Sequence, residues 1–190
     1  MPLHSFAPAS RWLLVFTLTL PAACATHQTV PSGAAGRERI EVAFAPDAGA
    51  EALVIKVIEE ATRFLRLAGY SFTSPPVVRA LLDAKKRGID VKVLIDDQGN
   101  RGASSVAAIN LVVGAGIPTK TISAYAIHHD KYIVADGRNI ETGSFNYTQS
   151  AARRNSENVL VVWDDPVTAA KYLTHWNARW VQGVAVSQSY

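Results

Sequence analysis

Cysteine is almost absent: Cys24 is the one thiol in 190 residues, so no disulfide can form within the chain. A long apolar run is missing too. The stretch Trp12–Leu20 follows Arg11 and ends in Pro21-Ala22-Ala23-Cys24-Ala25, and it is too short to span a bilayer. It reads as a secretory signal peptide cleaved after Ala25, with Ala23 and Ala25 in the small-residue positions. Cys24 opens a second route, a lipid on the thiol, although Pro21 three residues earlier fits that box poorly. Both routes export the chain, to the periplasm or the medium, with membrane contact only if Cys24 is lipidated.

An excess of one charge is also lacking. Lys and Arg number 19 against 16 Asp and Glu, and Arg11 is the only one of these within residues 1–25. An exported chain would therefore carry 18 basic and 16 acidic residues. There is no basic tail, and no aromatic-plus-basic interleaving of the kind used for sequence-specific recognition. Lys85-Lys86-Arg87 closes a predicted helix, where cations complement the helix dipole. Clustered carboxylates are missing as well. Asp96-Asp97, after the predicted strand Val91–Ile95, is the sole candidate pair, but neighbours on a strand face opposite sides and would chelate poorly. Asp97-Gln98-Gly99-Asn100 fits a turn better. Neither a metal nor any other cofactor is expected.

What the chain has is alternation. Thr26–Gly36, rich in Pro, Gly, Ala, Ser and Thr, reads as a linker. It divides a leader (1–25) and linker (26–37) from one domain (38–190), long enough to bury a substantial core. Strands are predicted at Ile40–Phe44, Leu67–Phe72, Val91–Ile95, Thr119–Ile122 and Val159–Trp163. Helices are predicted at Ala50–Leu65, Pro75–Arg87, Ser104–Gly114 and Pro166 to about Trp180. Interleaving of this kind implies an α/β fold, a mixed and mostly buried sheet with helices on both faces. No internal repeat is present.

The chemistry lies in one stretch, His129-x-Lys131-x4-Asp136, then six residues, then Gly143-Ser144-x-Asn146. These side chains suit metal-free phosphodiester cleavage. An imidazole attacks phosphorus, an ammonium neutralises a phosphate oxygen, and an amide and a hydroxyl hold the rest. The run 128–134 reads as a strand, which puts His129 and Lys131 on one face and His128 and Asp130 on the other. Asp136-Gly137 signals a tight turn and Arg138–Thr142 a returning strand. Gly143 would then let the backbone pass closely enough to aim Ser144 and Asn146 at the His/Lys side. Asp136 reads as a turn residue rather than a proton carrier. His175, on the predicted C-terminal helix, reads as a helix-face residue.

This pattern resembles the signature of the phospholipase D superfamily. Asn155-Ser156-Glu157-Asn158, followed by apolar Val159–Trp163, resembles its small bacterial endonuclease branch. The resemblance covers about residues 38–182 and implies a phospholipase D-like α/β sandwich. The motif occurs once, and single-copy relatives imply a homodimer with two motifs meeting on a two-fold axis. It further implies a phosphohistidine on one His129, while the partner's His129 protonates the leaving oxygen and then activates water. Lys131 and Asn146 would bind the non-bridging oxygens, Ser144 would order the phosphate shell, and Glu157 would orient a histidine ring. Asp136 completes the set. Arg153-Arg154, between Asn146 and Glu157, could contact flanking phosphates or be a solvated helix end.

Three functions follow as expectations. The first is an endonuclease cutting DNA or RNA with little sequence preference. The second is a lipid phosphodiesterase acting on phosphatidylcholine or cardiolipin, although no apolar interfacial loop is evident in the sequence. The third, a non-catalytic nucleic-acid-binding relative, has no need of a nucleophile.

Overall fold

The structure, a computed structural model, describes residues 39–187. The leader, its cleavage site, Cys24 and the linker lie outside the described residues. In chain order the elements are β1 Arg39–Ala45, α1 Ala50–Glu60, β2 Phe64–Gly69, α2 Pro75–Lys86, β3 Asp90–Asp96 and a 3-10 turn Gln98–Asn100. They continue with α3 Ala103–Gly114, β4 Thr119–Ile122, β5 Tyr132–Ala135, β6 Asn139–Gly143, α4 Gln149–Arg153, β7 Glu157–Trp163, α5 Pro166–Trp180 and β8 Val184–Ala185. The strands form one mixed sheet ordered β1-β7-β6-β5-β2-β3-β4-β8. Pairs β2–β3 and β3–β4 are parallel; the others are antiparallel.

Alternation along each strand sorts the core into two layers. Leu65 and Leu67 of β2, Val91, Val93 and Ile95 of β3, and Ile133 and Ala135 of β5 pack with the apolar stripes of α1, α2 and α3 and with Ala151 and Ala152 of α4. Ala68, Leu94, Tyr132, Val134 and Ile140 face the other way and are covered by α5 through Ala169 and Trp176. The expected mixed, largely buried sheet with helices on both faces is what forms. Local chemistry sets the helix starts. Ser74 Oγ accepts from Val77 N–H at 3.3 Å ahead of Pro75 and Pro76, and Asp165 caps α5 through Val167 and Thr168 N–H at 3.0 Å each.

The boundaries around β2 differ from the expectation, and its end is at Gly69 rather than Phe72. Helix α1 ends at Glu60, not Leu65, and β2 starts at Phe64, three residues before the predicted Leu67. The cause is distant in sequence. The Asp136 carboxylate accepts from Thr62 N–H, Thr62 Oγ1 and Arg63 N–H at 2.8 Å and from Phe64 N–H at 2.9 Å, and Asp136 N–H returns a bond to Phe64 O. That clamp holds 62–64 extended and feeds Phe64 and Leu65 into the sheet. The last motif residue is therefore a turn residue, as expected: Asp136 and Gly137 both have positive φ, 58° and 73°, and Arg138 N–H closes the turn onto Ala135 O at 3.2 Å.

Burial pushes the Asp136 carboxyl upward, but the Phe64, Thr62 and Arg63 donors outweigh it and hold it below the ordinary range. Its stabilisation is thus present above the unfolded pKa and is lost as pH falls through the lowered folded value. Asp136→Asn keeps a residue that tolerates positive φ but removes the charge. The expected cost is about 1–3 kcal/mol, read as a lower melting temperature at pH 7 that converges with wild type in acid.

Candidate active site

Apart from Asp136, which sits at the opposite end of β5 beside the start of β2, the motif residues gather at one end of the sheet. It is the end with the carboxyl ends of parallel β2 and β3, where open α/β sheets bind ligands. There β5 and β7 begin and β6 ends. His128–Lys131 are not strand, contrary to the expected 128–134; β5 starts at Tyr132. The segment is fixed by side chains instead. His128 N–H donates to Asp96 Oδ1 at 2.7 Å, and the second Asp96 oxygen accepts from Gly99 N–H at 2.7 Å. Asp97 pairs with Arg101 at 2.5 Å. The Asp96-Asp97 carboxylates are thus spent on loop structure.

His129 is exposed, with its ring edge-to-face against Tyr70 at 4.8 Å. Lys131 is buried; its Nζ donates to His129 O at 2.9 Å and lies 5.3 Å from the Tyr70 ring centroid. Burial lowers the Lys131 pKa, opposed by the charges of Glu157 and Asp130. Ser144 Oγ donates to Glu157 Oε2 at 2.5 Å and accepts from Asn158 N–H at 3.1 Å, while Asn155 Nδ2 holds the other Glu157 oxygen at 2.9 Å. Glu157 therefore orders Ser144 and, among the described residues of one chain, makes no bond to a histidine ring. The Asn146 side chain has no hydrogen-bond partner among the described residues, and its Oδ1 is buried. Imidazole and ammonium border one open cavity of about 440 Å³, lined also by Thr142 and Gly143 and by Lys171, Tyr172 and His175 of α5.

The structure adds residues that the sequence did not single out. Tyr70, just past β2, packs on His129 and Lys131; its carbonyl accepts from Asn100 Nδ2 at 2.7 Å, which pins it. Nothing in the sequence signalled it, because the predicted strand Leu67–Phe72 placed Tyr70 in its interior, whereas β2 ends at Gly69. His175 is more than a helix-face residue: Nε2 lies 2.9 Å from Asp130 Oδ2, and His128 Nδ1 approaches the same oxygen at 3.5 Å. The expected phosphate contacts from the arginine pair are not built into the cluster. Arg153 pairs with Asp47 at 2.8 Å, and Arg154 is exposed at the end of α4.

Glu141 was not foreseen either. It lies on β6 completely buried, Oε2 accepting from Tyr147 O–H at 2.9 Å and Oε1 unpartnered among the described residues. This bond bridges the two ends of the Gly143–Asn146 segment. Burial pushes the carboxyl up to about 8, against the Tyr147 hydrogen bond. A raised carboxyl is protonated in the folded state while the unfolded one ionises. Stability should therefore fall from about pH 4.5 to about pH 8, by up to about 1.4 kcal/mol per pH unit. Glu141→Gln should flatten that slope in denaturant titrations across this window.

An exposed imidazole and a buried ammonium on one open cavity, with an unpartnered amide on the segment that follows Gly143, are the residue types of a phosphodiesterase site. Residues 54–180 match the family described as "Cardiolipin synthase, PLD-like domain". Among curated relatives, phospholipase D of Rickettsia prowazekii is 30% identical, over 75% of this chain and 68% of that protein. Mitochondrial cardiolipin hydrolase of Xenopus tropicalis is 31% identical, over 67% and 59%. Nuc from Salmonella typhimurium, a phospholipase D family member of solved structure, is 44% identical with a TM-score of 0.78, covering 78% of this chain and 98% of that one. The chain belongs to the phospholipase D superfamily.

Proposed function

We propose that the protein is an exported, homodimeric endonuclease that cleaves nucleic acid without a metal, through a phosphohistidine on His129. The observation that carries this reading is the place of Glu157. The Asn155-Ser156-Glu157-Asn158 run that resembles the endonuclease branch begins β7 and bonds Ser144, so that run is built into the site. Similarity to Nuc along nearly all of that chain supports the same choice. In the scheme His129 attacks phosphorus and the leaving oxygen takes its proton from the partner's imidazole. Lys131 and Asn146 stabilise the charge gathered on the equatorial oxygens.

Dimerisation follows from need and from surface. One protomer carries one motif, and the mechanism uses two imidazoles. On the α5 side of the sheet, Ile40, Val42 and Phe44 of the edge strand β1 are 59%, 53% and 56% exposed. Register places them beside Val162, Leu160 and Asn158, and Leu160 beside Thr142 at the cavity wall. This apolar face runs from the sheet edge to the site, where a second copy would cover it and bring its own His129.

A lipid substrate is the second reading, favoured by one feature the sequence did not disclose. Tyr125 and Ile127, just before the motif, are 38% and 50% exposed and could meet an interface. The names of the Rickettsia and Xenopus relatives point the same way. Plasmid nicking in excess EDTA, run beside hydrolysis of phosphatidylcholine and cardiolipin vesicles, separates the two. Nicking that persists in EDTA without lipid turnover is the expected result; lipid turnover alone would replace the reading.

A further inference from the structure

The cavity beside the motif is walled on its far side by a helix face that the scheme above leaves idle. Lys171 and His175 of α5, four residues apart and so on one face of the helix, line the same space as His129 and Lys131. Lys171 is exposed and has no ion-pair partner among the described residues. His175 is held toward the cavity by Asp130, whose carboxylate it shares with His128. The one anionic group in the lining is thus already engaged, and the α5 wall presents an exposed ammonium beside an imidazole. A single phosphate on His129 and Lys131 leaves that wall unoccupied.

We propose that Lys171 and His175 form a second phosphate subsite, taking the phosphate next to the scissile one along a nucleic-acid strand. The proposal rests on the nuclease reading and extends it. Lys171 supplies a screened point charge, so it adds affinity and salt dependence without a step in the chemistry. His175, fixed by Asp130, supplies direction. On this reading a substrate with one phosphate engages His129 and Lys131 but not the α5 pair.

The test compares Lys171→Gln and His175→Gln with wild type on a single-stranded oligonucleotide, on cardiolipin vesicles and on bis(4-nitrophenyl) phosphate, which has one phosphate. On the oligonucleotide, Lys171→Gln should raise KM about tenfold at unchanged kcat and reduce the salt slope of log(1/KM) by about 0.7. On the one-phosphate ester both parameters should stay at wild type, and the melting temperature should not move. Equal losses on both substrates would assign Lys171 to the framework and overturn the subsite. So would an unchanged KM on the oligonucleotide with wild type active on both. Wild type that cleaves the ester but no nucleic acid would overturn the nuclease reading and the subsite with it. Losses confined to cardiolipin vesicles would move the subsite to a two-phosphate lipid and reject it as stated.

Discussion

His129→Ala is expected to lower kcat for phosphodiester cleavage by at least about 10³-fold while leaving the melting temperature at wild type. The two halves of that result have separate physical causes. Stability is spared because the ring is exposed and its packing is limited to the edge contact with Tyr70 at 4.8 Å. Activity is lost because the described residues that border the cavity offer no replacement. His128 is buried, with its pKa lowered by desolvation against the pull of Asp130 and Asp96, and His175 is committed to Asp130 across the cavity. A variant with tenfold residual loss or less would reject His129 as the nucleophile.

The same substitution tests the two-imidazole scheme when protomers are mixed. If each reaction centre uses one His129 from each chain, a mixed dimer has no complete pair. Re-equilibrating wild type with a ninefold excess of His129→Ala should then lower activity per wild-type protomer roughly tenfold by random pairing. If each protomer works alone, activity per wild-type protomer stays constant. Phe44→Glu offers a second view, because it charges the apolar face of β1 without touching a motif residue. It should yield monomers in sedimentation, folded and inactive.

Much of this arrangement was readable from spacing, and what was not has a common physical origin. Residues 119–122 and 166–180 form the predicted strand and helix because their signals are local: β-branched residues in one, a Pro start and an Asp cap in the other. The motif hairpin was readable for the same reason, through Asp136-Gly137. The failures came where long-range hydrogen bonds overrode local pattern. Apolar periodicity carried α1 on to Leu65, but a carboxylate 72 to 74 residues away holds 62–64 extended. The β-prone run at Tyr132 suggested a strand back to His128, whose N–H instead goes to the Asp96 side chain, 32 residues distant. Site residues divide along the same line. His129, Lys131, Ser144 and Asn146 fall within one short stretch, residues 129–146. Tyr70 and His175 reach the site only through the sheet order and the packing of α5.

Gly143→Ala should give the second large effect, and it couples fold to chemistry most directly. A Cβ on Gly143 would lie 2.2 Å from Asn158 O and 3.0 Å from the carbonyl carbon, both backbone atoms that no side-chain rotation can clear. Strands β6 and β7 must separate there, where Gly143 pairs with Val159 and Ser144 N–H bonds Asn158 O at 3.1 Å. Overpacking of this kind costs about 1–3 kcal/mol. The chemical cost should be larger than that destabilisation suggests. The displaced atoms carry the Ser144–Glu157 hydrogen bond and lead directly into Asn146, and an error near 1 Å in such groups costs on the order of 10²-fold in rate. The expected protein is therefore folded at 25 °C, with a lower melting temperature and kcat reduced about 10²-fold, and with KM changed far less. Loss of stability with kcat intact would show that the segment tolerates displacement, and that Ser144 and Asn146 do not need the register that the glycine provides.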